Sequence, residues 1–153
     1  MSSCQEWIIR NLKSFENFLI SVQEEVNVFV DGSEAISGII LKLLQTIKDK
    51  NITVYYVRSD LQLLSPTEVL QDKVAFGVLQ EYARSGLFNK IVLLDKLKLE
   101  NIIGNLSILD YEDKITSLIA STIHMINVYD NINPVLTNSA EKSEVCRIST
   151  VGL

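Results

Sequence analysis

The chain has 153 residues, 47% of them hydrophobic and 22% charged, with a net charge of −5 at pH 7. That length suits one domain with a sizeable core. The acidic balance, with basic residues scattered among acids, excludes a nucleic-acid backbone as the main partner. No apolar run reaches membrane-spanning length.

Residues 5 to 24 read as a helix, with Ile8, Leu12, Phe15, Leu19 and Val22 forming one apolar stripe widened by Trp7 and Phe18. Val26 to Val30 reads as a buried strand that feeds the small-residue turn Asp31-Gly32-Ser33. A helix then spans about Ser33 to Asp49, with Ile36, Ile39, Ile40, Leu43, Leu44 and Ile47 facing inward. Ile52 to Val57, dense in β-branched and aromatic residues, reads as the next strand. Ser65-Pro66-Thr67-Glu68 predicts a helix start with a capping box, and Gly86 suits the C-terminal cap. Gly77, inside that helix, suggests close packing on the sheet.

Ile91 to Leu94 is a short apolar strand of the kind buried on both faces of a parallel sheet. A short helix over Leu97 to Ile103 ends at Gly104. A long helix from Leu109 to Val128 carries the stripe Tyr111, Ile115, Leu118, Ile119, Thr122 and Ile126. Asn131 to Glu144 is polar, and Val145 to Val151 alternates like a strand. Strands alternating with helices predict an α/β fold: a three-layer αβα sandwich with a mainly parallel sheet, Rossmann-like. The expected organisation is one domain over 1–153, with 131–153 as linker plus terminal strand. A strand-like ending at Gly152-Leu153 with no polar tail is the ending expected of a piece of a longer protein.

Cys4 and Cys146 are the only cysteines, without metal-site or redox spacing, which fits a reducing, cytoplasmic setting. The N-terminus lacks the basic and apolar regions of a signal peptide. His124 is the single histidine, lies off the apolar stripe, and suits a surface or packed role rather than catalysis. The turn after the first strand is the place to look for a site. In α/β proteins such a turn brings backbone N–H groups and a helix N-terminus together.

The order of elements and several strings resemble the second half of the nucleotide-binding domain of the tubulin/FtsZ superfamily, over residues 5 to about 144. Asp31-Gly-Ser-Glu-Ala-Ile-Ser-Gly38 stands where that family has a glycine-rich phosphate loop. Leu94-Asp95-Lys-Leu-Lys-Leu99 stands where an Asn reads guanine, with Asp95 at the Asn position. Tyr111, at the start of the long helix, stands where an aromatic stacks on the base. The resemblance implies a site in which Gly32, Ser33, Ser37 and Gly38 face phosphate, while Asp95 and Tyr111 face the base. It implies GTP or GDP with Mg²⁺ as the cofactor to test. It further implies head-to-tail self-association or a protein partner, with residues 131–144 facing the next subunit.

The departures are specific. Only Gly32 and Gly38 of the loop glycines remain, and Glu34 sits where a carboxylate repels phosphate. Pro134, Leu136 and Asn138 match the segment that completes the neighbour's pocket, but Ala140 and Ser143 replace its acids. GTP binding is therefore expected to be weak or absent, and hydrolysis by this chain alone is not expected.

Phe29-Val-Asp31-Gly-Ser33-Glu-Ala35 also resembles the start of a von Willebrand factor A domain, which holds Mg²⁺ on an Asp and two hydroxyls. Asp31 and Ser33 match; Ala35 replaces the third ligand. A magnesium site there requires Ser59, Asp60, Ser65 or Thr67 to converge on Asp31. Two plainer readings stand beside these. Asp31-Gly32-Ser33 is a tight turn with Ser33 capping the next helix, or the chain is a scaffold, for instance viral, with no ligand site.

Overall fold

β-branched and aromatic runs bounded by turn residues form the strands, and helices connect them in parallel. The computed structural model describes residues 12–21, 24–34, 37–104, 107, 109–132 and 146–151. In chain order the elements are α1 (Leu12–Ser21), β1 (Glu25–Asp31), α2 (Ser37–Thr46), β2 (Asn51–Arg58), α3 (Pro66–Ser85), β3 (Lys90–Asp95), α4 (Lys96–Ile103), α5 (Tyr111–Asn131) and β4 (Ile148–Thr150). The four strands make one all-parallel sheet in the order β1-β2-β3-β4. The protein is thus α/β, of the Rossmann-like αβα class. By internal contacts it divides into two units: 1–95 with 147–153, and 96–146.

Register places Val28, Val54 and Ile91 side by side on one face, with Val30, Tyr56 and Leu93 in the next row. This face packs on Leu44 and Ile47, on Phe76, Leu79 and Ala83 of α3, and on Phe88. Leu19 of α1 packs against the same cluster. The other face carries Phe29, Tyr55 and Val92 in one row. Tyr55 and Val92 are buried there, and Phe29 stacks on Tyr55 with ring centroids 5.2 Å apart.

The start of α3 forms as its residues dictate. Glu68 N–H donates to Ser65 Oγ, the Glu68 carboxylate accepts from Ser65 N–H, and Pro66 occupies the first turn. These bonds hold the Glu68 carboxyl below its ordinary pKa. At the other end Gly86 adopts φ 82°, the left-handed conformation that suits glycine. Arg147, entering β4, donates from Nη1 to the carbonyls of Ala83 and Arg84 at 3.4 and 3.1 Å. It thereby adds a side-chain donor at the helix end, where Ala83 O already accepts from Gly86 N–H.

Several expectations need correction. α2 begins at Ser37, not Ser33, because residues 31–34 close a hydrogen-bonded turn of their own. Phe18 is 60% exposed rather than part of the inward stripe. Gly77 does not ease packing on the sheet. It lies on the opposite side of α3 from the buried face, and no atom approaches within 4 Å of where a Cβ would stand. In α5 the buried positions are Ile115 and Ile123, the second of which lies outside the predicted stripe, and His124 is exposed. Trp7, Ile8, Val22, Ala35, Ile36 and the segment from Pro134 to Glu144 lie outside the described residues. Among the described residues no helix is long and apolar enough to cross a membrane.

Candidate functional site

At the C-terminal end of β1 the chain turns through Asp31, Gly32 and Ser33. Asp31 Oδ1 accepts from the Ser33 N–H at 3.0 Å and from Ser33 Oγ at 2.7 Å. This is a local turn built on an Asp side chain, so Ser33 serves the turn and does not cap α2. Ser33 Oγ also lies 3.2 Å from Ser59 Oγ, which follows β2. Gly32 N–H donates to Val57 O, Glu34 N–H to Asp31 O, and Ser37 N–H to Glu34 O, at 2.9, 3.3 and 2.9 Å. Every described N–H at the turn, at Gly32, Ser33, Glu34 and Ser37, therefore meets an acceptor within the chain.

α3 pins this turn from the side. Gln71 Nε2 donates to Glu34 O at 2.7 Å and to Ser37 Oγ at 3.0 Å. Ser37 is buried, and its hydroxyl lies 3.4 Å from Gly32 O. Gly38, next along α2, is exposed, with open space around it.

Beneath the turn lies a polar group that pattern reading missed. Asp72 is 1% exposed on the inward face of α3. Its Oδ1 accepts from the Tyr56 hydroxyl at 2.8 Å. Its Oδ2 lies 3.2 Å from Arg58 Nε, an ion pair held by charge because neither atom has a well-aligned hydrogen bond. The Arg58 guanidinium lies over the Phe76 ring, 4.3 Å from its centroid. Burial, with the hydrogen bond and the charge of Asp72 added, pushes the Tyr56 hydroxyl well above the usual tyrosine pKa, against an opposing pull from Arg58. The group joins β2, α3 and the β1 turn.

The need for glycine at position 32 now has a cause. A Cβ there would lie 2.3 Å from both Asp72 Oδ1 and Tyr56 Oη. The φ of Gly32 is not positive, so space and not conformational freedom requires it. The close approach belongs to the chain's own side chains.

The remaining candidates divide between the units. Asp95 ends β3, half-buried and in register with Arg58 on β2. Tyr111 begins α5 in the second unit, and its hydroxyl donates to the Glu100 carboxylate there. Among the described residues no three His, Cys, Asp or Glu side chains are placed to hold a metal ion.

Two features bear on a nucleotide. Parallel α/β sheets take ligands where the strand order reverses, and the described strands run in unbroken order. A phosphate at a βα turn needs free N–H donors, and the described donors at this turn are engaged, with Glu34 exposed beside them. A phosphate here would compete with acceptors that the chain already supplies to the N–H groups of Gly32, Ser33, Glu34 and Ser37. The signal that would have found the buried group is Asp72 itself: helical spacing puts this carboxylate among Ala75, Phe76 and Leu79. Compared with protein-family models, with curated proteins and with solved structures, the chain matches none.

Proposed function

We propose that this chain is a divergent tubulin/FtsZ-type protein, or a piece of one, that works through self-association or a protein partner and binds GTP weakly or not at all. The carrying observation is the engagement of the turn's N–H groups by Val57 O, Asp31 and Glu34 O. A phosphate would have to break bonds that the fold already makes, beside a carboxylate that repels it. The resemblance in element order supports the family; the closed turn supports protein contacts over nucleotide chemistry.

The test is thermal unfolding with millimolar GTP, GDP or ATP, with and without Mg²⁺, beside sedimentation of the same samples. Ligand binding to the native state raises the midpoint according to RT ln(1 + [L]/Kd). The expected result is no nucleotide-dependent shift, together with concentration-dependent assembly or capture of a partner. A guanine-selective shift lost on changing Asp95 or Tyr111 would overturn this reading in favour of a working nucleotide pocket.

One observation favours a second reading, a Mg²⁺-dependent binding module. The Ser59 hydroxyl lies 3.2 Å from the Ser33 hydroxyl, which itself donates to Asp31, so three oxygen-bearing side chains lie next to one another at this turn. One carboxylate and two hydroxyls are hard oxygen donors suited to Mg²⁺. Under that reading Mg²⁺ alone raises the midpoint, and both Asp31→Asn and Ser59→Ala remove the increment. Equal midpoints with Mg²⁺ and with chelator would dismiss it.

A further inference from the structure

We propose that the outer edge of β1 takes an extended, basic segment of a partner protein as a further strand of the sheet. This deepens the protein-partner reading and rests on it. Asn51 N–H donates to Glu24 O and Gly32 N–H donates to Val57 O, at 2.8 and 2.9 Å. Even-numbered residues from 24 to 32 therefore turn their backbone groups toward β2, and the odd-numbered residues of β1 turn theirs outward. β1 ends the sheet. Among the described residues nothing bonds the outward N–H and C=O of Glu25, Asn27 or Phe29.

The edge lacks the features that block strand addition. Natural edges carry Pro, Lys or a bulge, or are very short. β1 has seven residues, Glu-Val-Asn-Val-Phe-Val-Asp, in unbroken register with β2. Phe29, near its middle, stays 58% exposed while stacked on Tyr55. An added strand would cover this ring on one face of the sheet. On the other it would continue the row of Val26 and Val28, which are only partly buried.

Charge selects the occupant. From Val22 to Leu41 the chain carries Glu24, Glu25, Asp31 and Glu34 and no Lys or Arg. Lys50 leads into β2, on the paired side of the strand. Glu24, Glu25 and Glu34 are exposed, and among the described residues none of the three makes an ion pair. Acids thus stand at both ends of an apolar edge, and a strand with basic ends complements it. A second copy does not. Two β1 strands aligned antiparallel over their full length would set Glu25 against Asp31 at each end. Aligned parallel, they would set Glu25 beside Glu25 and Asp31 beside Asp31. Like charges facing each other across a strand pair destabilise it.

The test is an amide-resolved NMR titration of the full chain with two synthetic peptides. Lys-Val-Thr-Val-Tyr-Val-Lys copies the pattern of β1 with bases in place of its end acids; Glu-Val-Thr-Val-Tyr-Val-Glu is its counterpart. The Lys-ended peptide is expected to slow hydrogen exchange at Asn27 and Phe29 N–H, and to bind about tenfold more tightly than the Glu-ended one. Asn27→Pro removes an outward donor where an edge strand tolerates proline, so binding is lost while the thermal midpoint is kept. Glu25→Lys, a change at an exposed side chain, weakens the Lys-ended peptide about fivefold. Equal binding of the two peptides, no protection at millimolar peptide, or full binding by Asn27→Pro would overturn the basic strand and leave the partner reading standing. Protection of Asn27 and Phe29 that rises with protein concentration, without peptide, would overturn it in favour of a second copy. A guanine-selective nucleotide shift would overturn the partner reading itself.

Discussion

Replacing Gly32 with alanine tests the account of the buried polar group directly. The new methyl would stand 2.3 Å from Asp72 Oδ1 and Tyr56 Oη. Neither atom is the loose end of an exposed side chain. Tyr56 is fully buried, Asp72 nearly so, and the two are joined by a 2.8 Å hydrogen bond. Relief requires moving the turn, which Gly32 N–H and Gln71 hold, or separating Tyr56 from Asp72. Overpacking costs about 1–3 kcal/mol, and leaving a buried donor or acceptor unsatisfied about 1–3 kcal/mol more. A central value of about 3 kcal/mol, with a urea slope of about 2 kcal/mol/M, lowers the denaturation midpoint by roughly 1.5 M. For a chain of this size the thermal midpoint falls by about 6–12 °C. Gly38→Ala is the internal comparison: it sits in open space on α2 and should be neutral or stabilising by up to about 1 kcal/mol. If Gly32→Ala unfolds within about 0.5 kcal/mol of wild type, or matches Gly38→Ala, the reasoning fails.

The remaining predictions concern the same group and its supports. The Tyr56 hydroxyl has a folded pKa above its unfolded value near 10. Its contribution is fully present below pH 10 and is lost as pH rises through 10 toward the folded value. The unfolding free energy should therefore fall above pH 10 by about 1.4 kcal/mol per pH unit, read from urea denaturation at each pH, and Tyr56→Phe should flatten that slope. Asp72→Ala leaves Arg58 Nε and the Tyr56 hydroxyl without their partner and should cost about 3–5 kcal/mol in chemical denaturation. Asp72→Asn, which keeps an acceptor for Tyr56, should cost less; equal losses would mean that the hydrogen bond contributes nothing. Ser65→Ala removes the α3 cap and should lower stability by about 1 kcal/mol in urea unfolding. Arg147→Gln should speed hydrogen exchange at Val151 and Ile91 N–H, which bond Leu93 O and Arg147 O, because β4 loses its anchor on the end of α3. Unchanged exchange would show that strand pairing alone holds β4.

Local pattern determined much of this protein. Val26–Val30, Ile52–Val57 and Ile91–Leu94 each carry enough β-branched and apolar residues to make strands, and each extends by one residue at either end in the fold. Ser65, Pro66, Glu68 and Gly86 mark the ends of α3 through bonds to residues three or four positions away. Alternation of these elements is sufficient for a parallel α/β sheet. The site was legible only as a place, the turn after β1.

What that turn contacts was decided by tertiary structure. Gly32 reads in sequence as room for a ligand, but strand pairing and the rotation of α3 fill that room with Tyr56 and Asp72, 24 and 40 positions along the chain. Ser33 reads as a helix cap, but Asp31 takes its hydroxyl and N–H, and the helix begins later. Gly77 reads as a fit to the sheet, but the rotation that buries Asp72, Ala75, Phe76, Leu79 and Ala83 turns it outward. Sequence periodicity marks which residues share a helix face. Only packing decides which face the sheet covers, because that depends on the shapes of side chains brought together from distant parts of the chain.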